Sequence, residues 1–302
     1  MGVQIVEVGP RDGLQNEATQ LTVAERQWLI TELASAGLKR IEVGAFVSPK
    51  WVPQMADSGI LVQRLFATKK TFKDTRLSAL VPNERGMIDA LKTGIKEVAI
   101  FGACSETFSQ KNINCSIDES FKRFAAVIKM AKPAKIKVRG YLSTAFGCPY
   151  EGKVPQVRVL KLIERMYDLG VFEISVGDTI GVATPKQVAA LTKPALKILG
   201  KKHLALHFHD TRGTALANVL TGLQMGAEIF DSSVGGLGGC PYAKGASGNL
   251  ATEDLVYMLE GMGIKTGVRL ELLFALREAL ERLVQKRLPG RAIQAGYSKA
   301  LG

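Results

Sequence analysis

The amino-acid sequence predicts an α/β fold, a (β/α)8 TIM barrel with an extra C-terminal helix, on three observations. Strand-like and helix-like stretches alternate along the chain, and eight of each within about 260 residues is the count for such a barrel. A phrase recurs at 37–43, 94–98, 170–174 and 226–230, where a helical pattern ends on Gly and a β-branched strand follows. The first strand is followed by Gly9-Pro10-Arg11-Asp12-Gly13 rather than a GxGxxG turn. That disfavours a doubly wound open sheet, the runner-up. A chain of 302 residues suits one catalytic barrel spanning 1–302, with 265–302 as a C-terminal helical extension.

Taken in order, strands are expected near 3–8, 40–46, 76–82, 97–103, 137–145, 172–178, 203–209 and 229–234. Helical patterns lie near 22–36, 53–67, 84–93, 117–131, 156–169, 185–199 and 213–225, with two more near 250–262 and 268–286. Thr22, Ser116 and Thr184 stand where N-caps belong, and Pro185 occupies a first helical position. The stretch 235–249, GGLGGCPYAKGASGN, is too rich in Gly for a helix or strand interior. It reads as a mobile loop after strand 8 that carries the thiol of Cys240 to a site built by the rest of the chain.

The totals describe a globular protein, with 46% hydrophobic residues and no long apolar run, so no membrane span is expected. The four cysteines are scattered without a CxxC pair, which argues for a reducing compartment and against a zinc module. The start of the chain has neither signal-peptide nor transit-peptide character, and a cytoplasmic location is expected. The net charge of +12 fits a phosphate-bearing ligand as well as it fits nucleic acid, and the basic residues are dispersed rather than gathered in one arm. Neither nucleic acid nor membrane is expected as a partner.

Catalytic groups of a barrel collect at the C-terminal ends of the strands. In strand 7, period two places Ala205, His207 and His209 on one face and Leu204, Leu206 and Phe208 on the other. The apolar face suits the helix layer, so two of the chain's three histidines point into the barrel mouth with ligand spacing. Asp12 is either a third ligand from strand 1 or a turn residue paired with Arg11. Two His, one Asp and an amide oxygen make a hard site suited to Mg²⁺ or Mn²⁺. Glu42, inside strand 2, is either a working carboxylate or the buried partner of Arg11. Asp178 ends strand 6, and Arg139 and Tyr141 lie in strand 5, toward the same mouth. Asn249 is either the N-cap of the next helix or a metal ligand. Cys240 has little apolar cover in its Gly-rich setting and reads as an accessible, functional thiol.

These motifs stand together: Val6-Glu7-Val8-Gly9-Pro10-Arg11-Asp12-Gly13-Leu14-Gln15-Asn16-Glu17, Ser48-Pro49-Lys50-Trp51-Val52-Pro53-Gln54-Met55, Lys111-Asn112-Ile113-Asn114-Cys115-Ser116, Gly177-Asp178-Thr179-Ile180-Gly181, His207-Phe208-His209-Asp210 and Gly238-Gly239-Cys240-Pro241-Tyr242-Ala243. From about residue 3 to about 265 the chain resembles the 3-hydroxy-3-methylglutaryl-CoA lyase family. The Arg-Asp-Gly and His-x-His parts are shared with other barrel metallolyases, whereas the Gly-Cys-Pro-Tyr-Ala loop and the Ser-Pro-Lys-Trp-Val-Pro-Gln block are narrower. The resemblance implies metal-assisted retro-Claisen cleavage of HMG-CoA to acetyl-CoA and acetoacetate, as in leucine degradation and ketone-body metabolism. It implies that Asp12, His207, His209 and Asn249 bind one divalent cation and that Arg11 holds the thioester and stabilises the enolate. It places Cys240, Glu42, Asp178 and His207 in catalysis, Tyr141 facing substrate, and Lys111 and Asn112 near the coenzyme. A homodimer or other homo-oligomer is expected. Position 18 is Ala where some members carry Lys, and no Cys follows Cys240, so a thiol switch through a later Cys is not expected. The rival readings are a related aldolase or Claisen synthase acting on a 2-oxo acid, and a non-catalytic anion-binding barrel.

Overall fold

A computed structural model describes residues 2–68, 72–239 and 248–296. Cys240, with the rest of 240–247 in the Gly-rich stretch, lies outside this range. Eight strands form a closed barrel in sequence order: β1 (Gln4–Glu7), β2 (Arg40–Ala45), β3 (Arg76–Leu80), β4 (Glu97–Ala103), β5 (Lys137–Ser143), β6 (Glu173–Asp178), β7 (Leu204–Phe208) and β8 (Ile229–Ser232). Every neighbouring pair is parallel, including the closing pair β1 and β8, where Ile5 lies opposite Phe230. The helices are α1 (Val23–Ser35), α2 (Ser58–Ala67), α3 (Glu84–Leu91), α4 (Glu106–Ile113), α5 (Ile117–Ala131), α6 (Gln156–Asp168), α7 (Pro185–Leu199), α8 (Ala215–Gln224), α9 (Thr252–Gly261), α10 (Leu270–Ala275), α11 (Arg277–Val284) and α12 (Arg291–Ala295). None of the described helices is long and apolar enough to cross a membrane.

Local chemistry accounts for the punctuation. Thr22 with Glu25, Ser116 with Glu119 and Thr184 with Gln187 form capping boxes at the starts of α1, α5 and α7, with Pro185 in the first turn. Gly37, Gly94, Gly170 and Gly226 all have positive φ, the left-handed step that turns a helix end into the next strand. Three expectations need correction. The pattern at 53–67 is a short 3-10 turn, Pro53–Met55, and then α2, separated by Asp57 in the left-handed conformation. Helix α4 was not anticipated because its face is largely polar. It is held by Ser105, whose hydroxyl accepts from Phe108 N, and it ends at left-handed Asn114. The single helix expected at 268–286 is two, α10 and α11, meeting at Leu276, and α12 follows.

Apolar side chains fill the layer between strands and helices, and Leu273, Leu276, Leu280, Val284, Leu288 and Ile293 from the C-terminal segment join that same core. Helix α12 begins on the carboxylate of Asp254 in α9, which accepts from Arg291 N at 3.0 Å and Ala292 N at 2.6 Å. The barrel interior is charged rather than filled only with branched apolar residues. Arg40 forks onto Glu173 at 2.7 and 2.8 Å, and Glu173 accepts from Arg139 Nε at 2.5 Å. Arg139 reaches Asp231 Oδ1 at 2.6 Å. Such buried pairs add little net stability, but removing one partner costs about 3–5 kcal/mol because a lone buried charge remains.

Two carboxyls, one at the end of β1 and one on α9, hold the chain after β8. Glu7 accepts from Gly9 N, Val234 N and the Thr252 hydroxyl, and Glu253 accepts from Gly235 N. Burial pushes Glu7 up to about 7 and Glu253 up to about 8. A carboxyl whose folded pKa lies above its unfolded value keeps its proton more tightly in the folded chain. Its contribution is therefore whole below about pH 4.5 and is lost as pH rises toward about 8. Glu253→Gln removes the titration while keeping the shape. Its unfolding free energy relative to wild type rises by about 2 kcal/mol between pH 5 and pH 8.5, half of what the full shift would give. Denaturant titrations at the two pH values read this, and a constant difference would exclude it.

Candidate active site

Asp12 sits in a turn of π-helical geometry, Gly9–Gly13, where the N–H groups of Arg11, Asp12 and Gly13 all point to Val8 O. Pro10 has no N–H to lose and starts the turn without cost. The turn aims Arg11 and Asp12 over the barrel mouth. Across from it, β7 delivers His207, and one step beyond the strand His209 pairs with Asn249 through a backbone bridge. One ligand-capable atom from each of Asp12, His207 and His209 lies within 4.8 Å of the others. The period-two reading of strand 7 thus holds: both imidazoles face the mouth, their ring centroids 5.2 Å apart.

The donor set fits a hard divalent cation. Asn249 Nδ2 donates to Asp12 Oδ2 at 2.9 Å and to Leu237 O at 3.1 Å, while its Oδ1 is buried without a hydrogen-bond partner. His209 Nδ1 is likewise buried and unpartnered. An orphaned amide oxygen and an orphaned imidazole nitrogen are costly in a folded chain unless something takes them up. Asn249 is therefore not the N-cap of α9, which starts at Thr252 after Ala251. Gly238 is required beside it, since a Cβ there would stand 2.7 Å from Asn249 Nδ2 and φ is +103°.

The electrostatics favour the ligand form of Asp12 and His209, whereas the Asp231 carboxylate raises His207 above its ordinary value against burial. Burial opposes charge on Asp12, but the Arg11 guanidinium, with His207 and the Asn249 amide, outweighs it and lowers the carboxyl below its ordinary value. His209 is pushed down, toward the neutral imidazole, by burial and by His207. Asp12 Oδ1 also accepts from Arg11 at 2.7 Å and from Gln15 Nε2 at 3.0 Å, which fixes its orientation.

Arg11 is almost wholly buried, with Nε on Glu42 Oε1, and Glu42 Oε2 accepts the Tyr141 hydroxyl at 2.6 Å. The guanidiniums of Arg11 and Arg139 lie 5.2 and 4.8 Å from the centre of the Tyr141 ring. Arg11 is thus the ion-pair partner of Asp12 and of Glu42, and it also faces the cavity. That cavity, about 140 Å³, is lined by Arg11, Asp12, Asn112, Tyr141, His207 and His209 among others. Lys111, beside Asn112 on α4, places its ammonium 4.6 Å from the Tyr150 ring centre. Asp178 is not among the residues that line the cavity, although its neighbours Gly177 and Thr179 are. Fully buried, it spends both carboxylate oxygens on Val182 N and Ala183 N at 2.9 and 3.0 Å. Burial raises its pKa against those two bonds.

Sequence reasoning passed over Asp231 and Ser175. Asp231 lies under His207, its Oδ2 at 3.3 Å from Nδ1. Ile229 and Asp231 share one face of β8 by period two, and an inward Asp was the available signal.

A family model described as HMGL-like matches residues 2–280. A hydroxymethylglutaryl-CoA lyase of Pseudomonas mevalonii is 54% identical over 269 residues, 89% of this chain and 88% of that one. The mitochondrial hydroxymethylglutaryl-CoA lyase of Pongo abelii is 51% identical over 293 residues, 97% of this chain and 89% of its own length. The solved structure of Bacillus subtilis HMG-CoA lyase superposes with a TM-score of 0.94 at 48% identity, covering 97% of each chain.

Proposed function

The chain belongs to the HMGL-like family, and from that membership we infer that it cleaves 3-hydroxy-3-methylglutaryl-CoA to acetyl-CoA and acetoacetate. It is a carbon–carbon lyase. The observation that carries the reading is the convergence of Asp12, His207 and His209 with an unpaired Asn249 oxygen, beside a buried Arg11, at one barrel mouth.

In the reaction the alcohol proton leaves and the bond between the alcohol carbon and the carbon next to the thioester breaks. Its electron pair moves onto the thioester as an enolate, the alcohol carbon becomes the ketone of acetoacetate, and a proton returns to the enolate carbon. Asp12, His207, His209 and Asn249 are assigned to hold one divalent cation, Mg²⁺ or Mn²⁺. When bound, such an ion acts as a Lewis acid that lowers the pKa of the tertiary alcohol. Arg11 is assigned to the thioester oxygen, where it supplies fixed positive charge as the enolate forms. Glu42 and Tyr141 hold that guanidinium in place from behind, so no reorganisation is needed during the reaction. Asp178 is assigned to fixing the end of β6, since two backbone N–H groups occupy its carboxylate. Asn112, and Lys111 with its cationic head, are assigned to the coenzyme end of the substrate. Cys240, outside the described residues, is assigned to proton transfer with the enolate.

The test is one assay. Incubated with HMG-CoA and Mg²⁺ or Mn²⁺, the protein releases acetoacetate and acetyl-CoA, and chelation by EDTA stops it. No metal-dependent product, or turnover instead with acetyl-CoA plus pyruvate or 2-oxoglutarate, would overturn the assignment.

A further inference from the structure

His207 has two ring nitrogens and only one can face the metal site. Its Nδ1 lies 3.3 Å from Asp231 Oδ2, inside the barrel. The other contacts of Asp231 decide what that bond is. Arg139 NH2 reaches Oδ1 at 2.6 Å, Arg139 NH1 reaches Oδ2 at 3.4 Å, and the Ser175 hydroxyl meets Oδ2 at 2.7 Å. Arg139 has N–H groups and no acceptor, so it holds Asp231 as an ionised carboxylate, which can only accept. Nδ1 must therefore carry a proton, and in the neutral ring Nε2 keeps its lone pair.

We propose that Asp231 is a positioning residue that fixes His207 in the Nδ1–H tautomer, so that Nε2 is the atom presented to a divalent cation beside Asp12 and His209. Asp231 touches neither substrate nor ion and acts through the imidazole. Such carboxylate–histidine–metal arrangements orient the ring and raise its basicity, and breaking them costs about 10- to 100-fold in metal affinity. Here the carboxylate is itself anchored. Arg139 is gripped by Glu173, and Glu173 by Arg40, so a file of alternating charge runs along the barrel interior from β2 to the ring of His207. The file keeps Asp231 from rotating, and with it the ring.

His209 offers a contrast within the same site. Its Nδ1 is buried with no hydrogen-bond partner, so nothing comparable selects its tautomer before an ion arrives. The pair thus divides into one preset and one unset ligand.

Asp231→Asn makes a sharp test because the amide is nearly isosteric. Arg139 demands an acceptor, which draws the amide oxygen to its side and turns the NH2 toward Ser175 and His207. The amide then donates to Nδ1, and the proton moves to Nε2, the wrong tautomer for a ligand; an Asp-to-Asn change beneath a catalytic His is known to act this way. The chain has only three histidines, so ¹⁵N chemical shifts of each ring are readable in long-range ¹H–¹⁵N spectra of the metal-free protein. At a pH where the His207 ring is neutral, wild type is expected to show Nδ1–H for His207, and Asp231→Asn to show Nε2–H. Mn²⁺ affinity, read by EPR of the free ion, is expected to fall about 10- to 100-fold in the variant. Ser175→Ala, which keeps the carboxylate, should retain the wild-type tautomer. A neutral His207 ring that carries its proton on Nε2 rather than Nδ1 in wild type overturns the proposal without any variant. So does a folded Asp231→Asn protein that keeps the wild-type tautomer and Mn²⁺ affinity. The proposal rests on the metal reading of the site. If wild type binds no Mn²⁺, that reading fails and the ligand role falls with it, while the tautomer in the metal-free spectrum still decides what Asp231 does to the ring.

Discussion

Asp12→Ala is expected to abolish measurable Mn²⁺ binding and to lower turnover about 1000-fold or more. The carboxylate is the sole anionic member of the clustered ligands, and metal-borne charge stabilisation is worth several kcal/mol, about 4 kcal/mol corresponding to that factor. The loss is not only of a ligand. Asp12 accepts from Arg11, Gln15 and Asn249, so alanine also frees three donors that now align the site. The expected record is a flat Mn²⁺ titration by EPR together with near-wild-type thermal unfolding, because Asp12 is only partly buried at the mouth. Turnover within tenfold of wild type would exclude Asp12 from the metal site.

Arg11→Gln is expected to lower kcat by about 100- to 1000-fold, with KM changed far less. A guanidinium that binds most strongly to the forming enolate acts on the transition state, and its loss appears in kcat. The same substitution leaves Glu42 buried without its cation, so the melting temperature falls as well. The two effects separate in a double variant. Arg11→Gln with Glu42→Gln restores melting toward wild type, since the uncompensated charge is gone, but leaves kcat low. Recovery of kcat in the double variant would mean that Arg11 serves only as the counter-ion of Glu42.

The buried pair Arg11–Glu42 also shows why sequence alone left Glu42 open. An inward carboxylate in a strand is a visible anomaly, but whether it is neutralised or exposed to substrate depends on a turn 31 residues earlier. Asp178 is a similar case. Its place at a strand end marked it as catalytic, and only the fold shows that the backbone of the turn that follows folds back and donates one N–H to each of its oxygens. For Asn249, an N-cap and a metal ligand predict the same residue type at the same place. Only the start of α9 three residues later, and the contact with Asp12, separate them.

The sequence by itself determined the barrel, because alternation of period and capping chemistry are local: Gly after a helix, Ser or Thr before one, β-branched runs between. It also determined that His207 and His209 share a face, since that follows from the pleat of a single strand. What only the tertiary structure decided is how groups from different strands meet. That Asp12, from the turn after β1, faces the histidines of β7 requires the barrel to close β1 on β8. That Arg139 in β5 reaches Asp231 in β8 requires side chains to cross the interior between strands that are not neighbours, while Asp231 meets His207 across the adjacent pair β7 and β8. Distances of that kind are set by barrel closure, and no spacing along the chain encodes them.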